Sequence, residues 1–229
     1  MLFRQIFDPA SSTYTYLVAC SRTREAALVD PVLEQVEVYV ALLGTLDLTL
    51  SYSLETHVHA DHVTAAASLR DRLGCRTAVH RDGGATCADL QLTDGDLLSL
   101  GDLVIEVRAT PGHTASCVSY YLGDRVFTGD ALLIAGCGRT DFQQGDPGRL
   151  YDSVRTRIFT LPPDTLVYPA HDYKGRTVST VKEEMATNPR LSRPRDEFVH
   201  IMDTLALAPP KQIDRALPAN QACGRESTS

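Results

Sequence analysis

The segment His57-Val58-His59-Ala60-Asp61-His62 constrains this chain more than any other. On an extended stretch, side chains two apart point the same way, so His57 and His59 aim together, and a turn after them brings Asp61 and His62 towards the same point. Three imidazoles and a carboxylate within six residues are costly to bury unless a cation offsets them. The bland alternative is a polar surface loop with one histidine capping the next helix. Four ligand-type residues at this spacing rarely assemble by accident, so the metal reading is the stronger. Residues 48 to 55 (LTLSYSLE) read as a strand and 63 to 73 as a helix, which puts the cluster where a strand ends.

Three more candidate ligands each follow an expected strand: His113 in Pro-Gly-His-Thr, Asp130 in Thr-Gly-Asp-Ala and His171 in Pro-Ala-His-Asp. Small neighbours allow backbone and metal to approach closely. Singly, each has an ordinary reading as a packed histidine or a Gly-Asp turn; beside the first cluster the set is far more specific. His80 and His200 fall outside it and read as structural or surface residues.

The rest of the chain supplies the frame. Residues 13 to 20 and 26 to 29 read as a hairpin, and Asp30-Pro31 as the cap and first position of a helix that runs to Gly44. Gly101-Asp102 reads as the turn between LLSL and LVIEV, and CVSYYL and RVFTGD as strands, the second delivering Asp130. Helices are expected at 149 to 158, 177 to 187 and 195 to 205, and PPKQIDRALPANQACGREST as an irregular tail. Mixed strands and helices without a linker or a repeat fit one layered domain over residues 1–229.

Composition narrows the class. A hydrophobic fraction of 43% and a charged fraction of 22% are ordinary for a globular protein. No apolar run approaches the roughly 20 residues that cross a bilayer, so no membrane role is expected. A formal net charge of -7 without a Lys/Arg cluster argues against a nucleic-acid partner. MLFRQIFDPASS lacks the regions of a secretory signal or transit peptide, which points to a cytoplasmic address, for a prokaryotic protein or a processed one. Cys20, Cys75, Cys87, Cys117, Cys137 and Cys223 are scattered without a Cys-x-x-Cys pair, a pattern suited to reduced thiols rather than a disulfide framework.

The order His-x-His-x-Asp-His, His, Asp, His over residues 57 to 171 resembles the metallo-β-lactamase superfamily, which implies an α+β four-layer αββα sandwich. Hydrolases, nucleases and oxidoreductases share that fold, so it does not set the reaction. A finer resemblance is to the persulfide dioxygenases, also called sulfur dioxygenases or ethylmalonic-encephalopathy-type proteins. It runs from FRQIFDPASSTYTYLVA through GCGRTDFQQG and LYDSV to FTLPPDTLVYPAHDYKGRTVSTV, NPRL and PANQACG.

That resemblance implies an enzyme with one Fe(II) per chain, held by His57, His113 and Asp130 as a facial triad of two histidines and a carboxylate. His59, Asp61, His62 and His171 then orient ligands and organise water around it. It implies glutathione persulfide and O2 as substrates, giving sulfite and glutathione. The redox balance closes without a further cofactor, because taking the outer sulfur from zero to plus four releases the four electrons that reduce O2 fully. Near the substrate it places Arg139, Tyr173 and Cys137, with Lys174 and Arg176 as helpers for the glutathione carboxylates. For Lys174 and Arg176 the alternative is solvated surface charge, for Cys137 tight packing in a Gly-rich loop, and for Arg139 a brace to Asp141 or Asp146. A homodimer and a separate rhodanese in the same pathway are expected from the family alone.

Two other functions compete. The same seven ligand-type residues would serve a two-metal thioesterase like glyoxalase II, with His57, His59 and His113 on one ion, Asp61, His62 and His171 on the other and Asp130 bridging. Against it, the chain lacks that family's longer helical C-terminal region. A noncatalytic metal-binding or sulfur-carrier module is the other; an intact ligand set argues against it.

Overall fold

The computed structural model describes residues 1–226. The chain falls into two compact units, one formed by residues 1–92, 97–105 and 209 onward, the other by 93–96 and 106–208. Each is described separately.

The first unit is built on a six-stranded sheet whose spatial order follows the chain: β1 (Leu2–Asp8), β2 (Thr13–Ala19), β3 (Glu25–Val29), β4 (Thr49–Leu54), β5 (Arg76–His80) and β6 (Leu90–Leu92). The first three pair antiparallel, the hairpin expected at 13–29 among them. From β3 onward the pairing is parallel, so the connections cross over through α1 (Val36–Thr45) and α2 (Ala66–Leu73). Tyr39 and Leu43 of α1 and Leu69 of α2 pack on Leu17, Leu28 and Leu50 of the sheet. Burying side chains of this size stabilises by about 2 kcal/mol each. Gly74 ends α2 in the left-handed region (φ 71°), where a residue without a Cβ carries no steric penalty.

Three expectations for this unit need correction. Asp30 does not cap α1: a 3-10 turn at Leu33–Gln35 intervenes, and the carboxylate bonds to Thr56 instead. The C-terminal stretch expected to be irregular contains a helix, α6 (Ile213–Gln221), despite Pro218 inside it. Its buried Ala216 and Ala219 pack with Val63, a tertiary gain that outweighs the poor helix propensity of proline. The last residues of that tail lie outside the described ones. Cys87 and Cys223 are joined in a disulfide, contrary to the reduced-thiol expectation; Cys20, Cys75, Cys117 and Cys137 are buried and outside it. Residues 136 apart in sequence meet only once the chain is folded.

The second sheet runs in the order β12-β11-β10-β9-β8-β7, with β7 (Leu97–Leu100), β8 (Leu103–Ala109), β9 (Val118–Leu122), β10 (Arg125–Gly129), β11 (Leu166–Pro169) and β12 (Ser179–Thr180). The β8/β9, β9/β10 and β11/β12 pairs are antiparallel and β10/β11 is parallel. Asp146 caps α3 (Pro147–Ser153) by accepting from the Arg149 amide, with Pro147 at the first position. The helix widens into a π-turn over Val154–Ile158. With α4 (Val181–Thr187) and α5 (Arg195–Asp203) it encloses a core of Val126, Leu150, Val154, Ile158, Val167 and Phe198. Among the described residues no helix is long and apolar enough to cross a membrane.

Candidate metal centre

The residues singled out from the sequence lie at strand ends in both units. In the first, they occupy the loop after β4, at the carboxyl end of a parallel strand, where ligand sites of such sheets form. His57, His59 and His62 are buried, with ring centroids 4.0 Å apart for His57 and His59 and 4.3 Å for His59 and His62.

Hydrogen bonds assign a lone pair to each ring. Thr56 donates its hydroxyl to Asp30 Oδ2 at 2.8 Å, so its oxygen accepts from His57 Nδ1 at 3.1 Å, which puts the ring's lone pair on Nε2. His59 donates Nε2–H to Asp30 Oδ1 at 3.1 Å, which leaves Nδ1. His62 Nδ1 donates to Asp61 Oδ2 at 2.9 Å, and its buried Nε2 has no hydrogen-bond partner. An imidazole nitrogen enclosed in this way fits a cation. Ligand atoms of His59, Asp61 and His62 lie within 4.8 Å of one another.

Two carboxyls lie beneath His59. Burial raises the Glu55 carboxyl well above its ordinary range, and the Asp30 charge adds to the effect. Burial also raises Asp30, against the opposing pull of His57 and the Thr56 donors. Asp30, Glu55 and Thr56 line the histidine cluster and were missed by sequence reasoning: Asp30 was absorbed by its resemblance to a helix cap, and the others carry no local motif.

In the second unit the parallel β10/β11 pair sets Asp130 and His171 side by side, with His171 Nε2 at 3.7 Å from Asp130 Oδ1. The turn after β8 supplies His113, whose Nε2 is 3.5 Å from Asp130 Oδ2. His113 Nδ1 donates to the Arg139 carbonyl at 2.6 Å, so in the neutral ring a lone pair on Nε2 faces the carboxylate. Two electron-rich atoms held in that way fit a cation or a proton. No residue larger than glycine is tolerated at 138 without movement, because a Cβ there would lie 2.8 Å from His113 Nδ1 and 2.5 Å from the Asp130 carbonyl oxygen.

The expected substrate residues are more dispersed in role. Arg139 grips Asp141 bidentately at 2.6 and 2.7 Å, donates to the Ala208 and Leu207 carbonyls and stacks on Phe142. A substrate carboxylate must compete with Asp141 for that fork. Cys137 is buried in the core against Met202 and Arg190, and burial pushes its thiol up to about 11. This is the packing alternative, and the thiol is neutral at pH 7. Tyr173 is 73% exposed and stacks on His171. Lys174 turns over the Asp172 carboxylate through its backbone, and Arg176 pairs with Glu183. Of the other histidines, His80 accepts from the Asp82 amide at a short turn and His200 is an exposed residue of α5.

The metallo-β-lactamase superfamily model matches residues 8–171. Human mitochondrial persulfide dioxygenase ETHE1 is 53% identical over 227 residues, covering 98% of this chain and 89% of the human protein. The chain belongs to the persulfide dioxygenase family of the metallo-β-lactamase superfamily. It thus has the two-sheet fold with flanking helices that the superfamily resemblance implied, and it belongs to a family of enzymes. The crystal structure of ETHE1 from Myxococcus xanthus is 55% identical and superposes with a TM-score of 0.97, covering 98% of this chain and all of that one. Hydroxyacylglutathione hydrolase of Rhodospirillum rubrum is 34% identical over 170 residues, covering 71% of this chain and 63% of that protein.

Proposed function

We propose that this protein oxidises glutathione persulfide with O2 and water to sulfite and glutathione, with one Fe(II) held by His57, His113 and Asp130. The observation that carries the reading is the near-full-length identity to persulfide dioxygenases. The donor set supports iron: two imidazole Nε2 atoms and one carboxylate suit a facial triad that leaves positions open for sulfur and O2. A bound iron supplies the electron exchange between persulfide sulfur and O2.

The remaining work falls to the chain. Thr56 and the Arg139 carbonyl hold His57 and His113 in the tautomers that expose Nε2. Asp30 fixes His59, and Asp61 fixes His62. His59 and His62 thereby turn fixed lone pairs toward the site, and with Asp61 and His171 they order its surroundings. Tyr173, with Lys174 and Arg176 beside it, is our assignment for the glutathione moiety, and Arg139 engages a carboxylate by exchange with Asp141. A homodimer, a separate rhodanese partner and a cytoplasmic location belong to the same reading; size-exclusion chromatography, co-purification and cell fractionation test them.

The capacity of His59, Asp61 and His62 to gather around a second ion favours one rival, the two-metal thioesterase. An anaerobic preparation separates the two. About one iron per chain, with persulfide-dependent O2 uptake and sulfite formation, is the expected result. Two metals per chain with cleavage of a glutathione thioester and no O2 uptake would refute the dioxygenase reading.

A further inference from the structure

The histidine loop is tied to the C-terminal segment by a single side chain. Asn220, buried at the end of α6, donates both Nδ2 hydrogens, one to the His59 carbonyl and one to the His62 carbonyl, each at 2.8 Å. Its Oδ1 accepts from the Thr64 amide, also at 2.8 Å. The carboxamide therefore satisfies three backbone groups across the turn that carries His59, Asp61 and His62. The loop runs between β4 and α2 outside helix and sheet, with one isolated bridge from Thr64 to Val32.

What keeps Asn220 there is a second set of ties. Three residues further on, Cys223 is bonded to Cys87 in the connection between β5 and β6, and its carbonyl accepts from the Ala67 amide at the start of α2. Gly224 lies so close to the Thr64 carbonyl that a Cβ would sit 2.1 Å from it. A cavity of about 20 Å³ borders His57, His59, Asn220 and Cys223. That is room for one water, beside the small buried cluster of Val58, Val79 and Ala85.

We propose that Asn220 is a positioning residue for the metal loop, latched by the Cys87–Cys223 disulfide, so that opening the disulfide loosens the histidines without removing any ligand. The inference rests on the metal reading of this loop. Groups that orient ligands typically change metal affinity by 10- to 100-fold when removed. A ligand set tolerates only about 0.5 Å of displacement. Opening needs two electrons from a thiol pair such as dithiothreitol: Cys87 and Cys223 become thiols and dithiothreitol leaves as its cyclic disulfide.

The full chain is compared as wild type, Asn220→Ala, Cys87→Ser and Ala216→Gly, the last weakening α6 without touching Asn220. Fe(II) affinity is measured anaerobically by chelator competition, the Fe(II) ligand-field bands by near-infrared magnetic circular dichroism, and stability by thermal melting. Asn220→Ala should bind Fe(II) 10- to 100-fold more weakly with shifted bands, and Cys87→Ser should move both in the same direction by less. Ala216→Gly should lower the melting temperature alone. Wild-type affinity and bands in Asn220→Ala, or an equal loss in Ala216→Gly, overturn the proposal. An unchanged affinity in Cys87→Ser overturns the latch. If Asn220→Ala does not fold, wild type with and without dithiothreitol carries the test: weaker binding after reduction supports the proposal and equal binding overturns it. Should wild type take up no iron, the function proposed above fails, and Asn220 is judged by amide exchange of residues 57–64 in metal-free protein. Faster exchange in Asn220→Ala supports it; equal exchange overturns it.

Discussion

Adding one methyl group at Gly138 tests whether the second-unit ligands are held as tightly as their geometry implies. A Cβ at this position would meet the Asp130 carbonyl oxygen at 2.5 Å, His113 Nδ1 at 2.8 Å and Asp130 Cβ at 2.9 Å. Ordinary contacts of a Cβ begin near 3.4 Å, so several neighbours must retreat by about half an ångström or more, the limit a ligand set tolerates. His113 has little freedom to retreat, because Nδ1 is bonded to the carbonyl of Arg139, the very next residue. Overpacking of this kind costs about 1–3 kcal/mol. Falling on the ligand geometry, that is a loss of roughly 5- to 150-fold in Fe(II) affinity. The matched control lies two residues away: a Cβ at Gly136 meets only Leu133 Cβ at 3.9 Å. Chelator competition under anaerobic conditions, with persulfide-dependent O2 uptake at saturating iron, should show Gly138→Ala impaired and Gly136→Ala near wild type. Wild-type affinity in Gly138→Ala, or equal losses in both variants, would refute the reasoning.

Further predictions concern pH, the substrate side and the disulfide. Burial pushes the Cys75 and Cys137 thiols up to about 11. Their folded values lie above the unfolded one near 8.5, so their contribution is full below about pH 8.5 and is lost as pH rises through 11. Thermal melting should decline between pH 9 and 11, and less steeply in a Cys75→Ala, Cys137→Ala double variant; parallel curves would be evidence against buried neutral thiols. Arg139→Ala should raise KM for glutathione persulfide by about tenfold, the worth of one charge-assisted pair, with kcat within about twofold. A fall in kcat at constant KM would assign Arg139 to bracing its loop through Asp141 and nothing more. Opening the Cys87–Cys223 bond releases a closure spanning 136 residues, worth about 3–5 kcal/mol of chain entropy. Melting should therefore fall by roughly 6–20 °C after mild reduction; an unchanged midpoint would mean that the C-terminal segment is held by its packing alone.

Much of this protein is written locally. The His-x-His-x-Asp-His loop after β4 and the positions of His113, Asp130 and His171 just past strands follow from alternation, turn residues and small neighbours, all short-range signals. So do the hairpin of β2 and β3 and the existence of strands β9 and β10. The family resemblance was legible for a related reason: within GCGRTDFQ, Gly138 packs directly against His113 and Asp130, and such a close approach leaves few substitutions.

Other features have no local signature. Asp30 reads as a helix cap until the parallel pairing of β3 and β4 brings it against Thr56 and His59. The π-turn after α3 and the helix around Pro218 contradict local propensity and exist because their buried faces find partners. Asn220 and the Cys87–Cys223 bond depend on residues more than a hundred positions apart, and no periodicity in a single chain reports such a distance. Chain-local chemistry thus specified which atoms could face a metal. Only the folded backbone decided which ring nitrogen each histidine turns outward, and what holds it there, because hydrogen-bond partners are chosen by proximity in space.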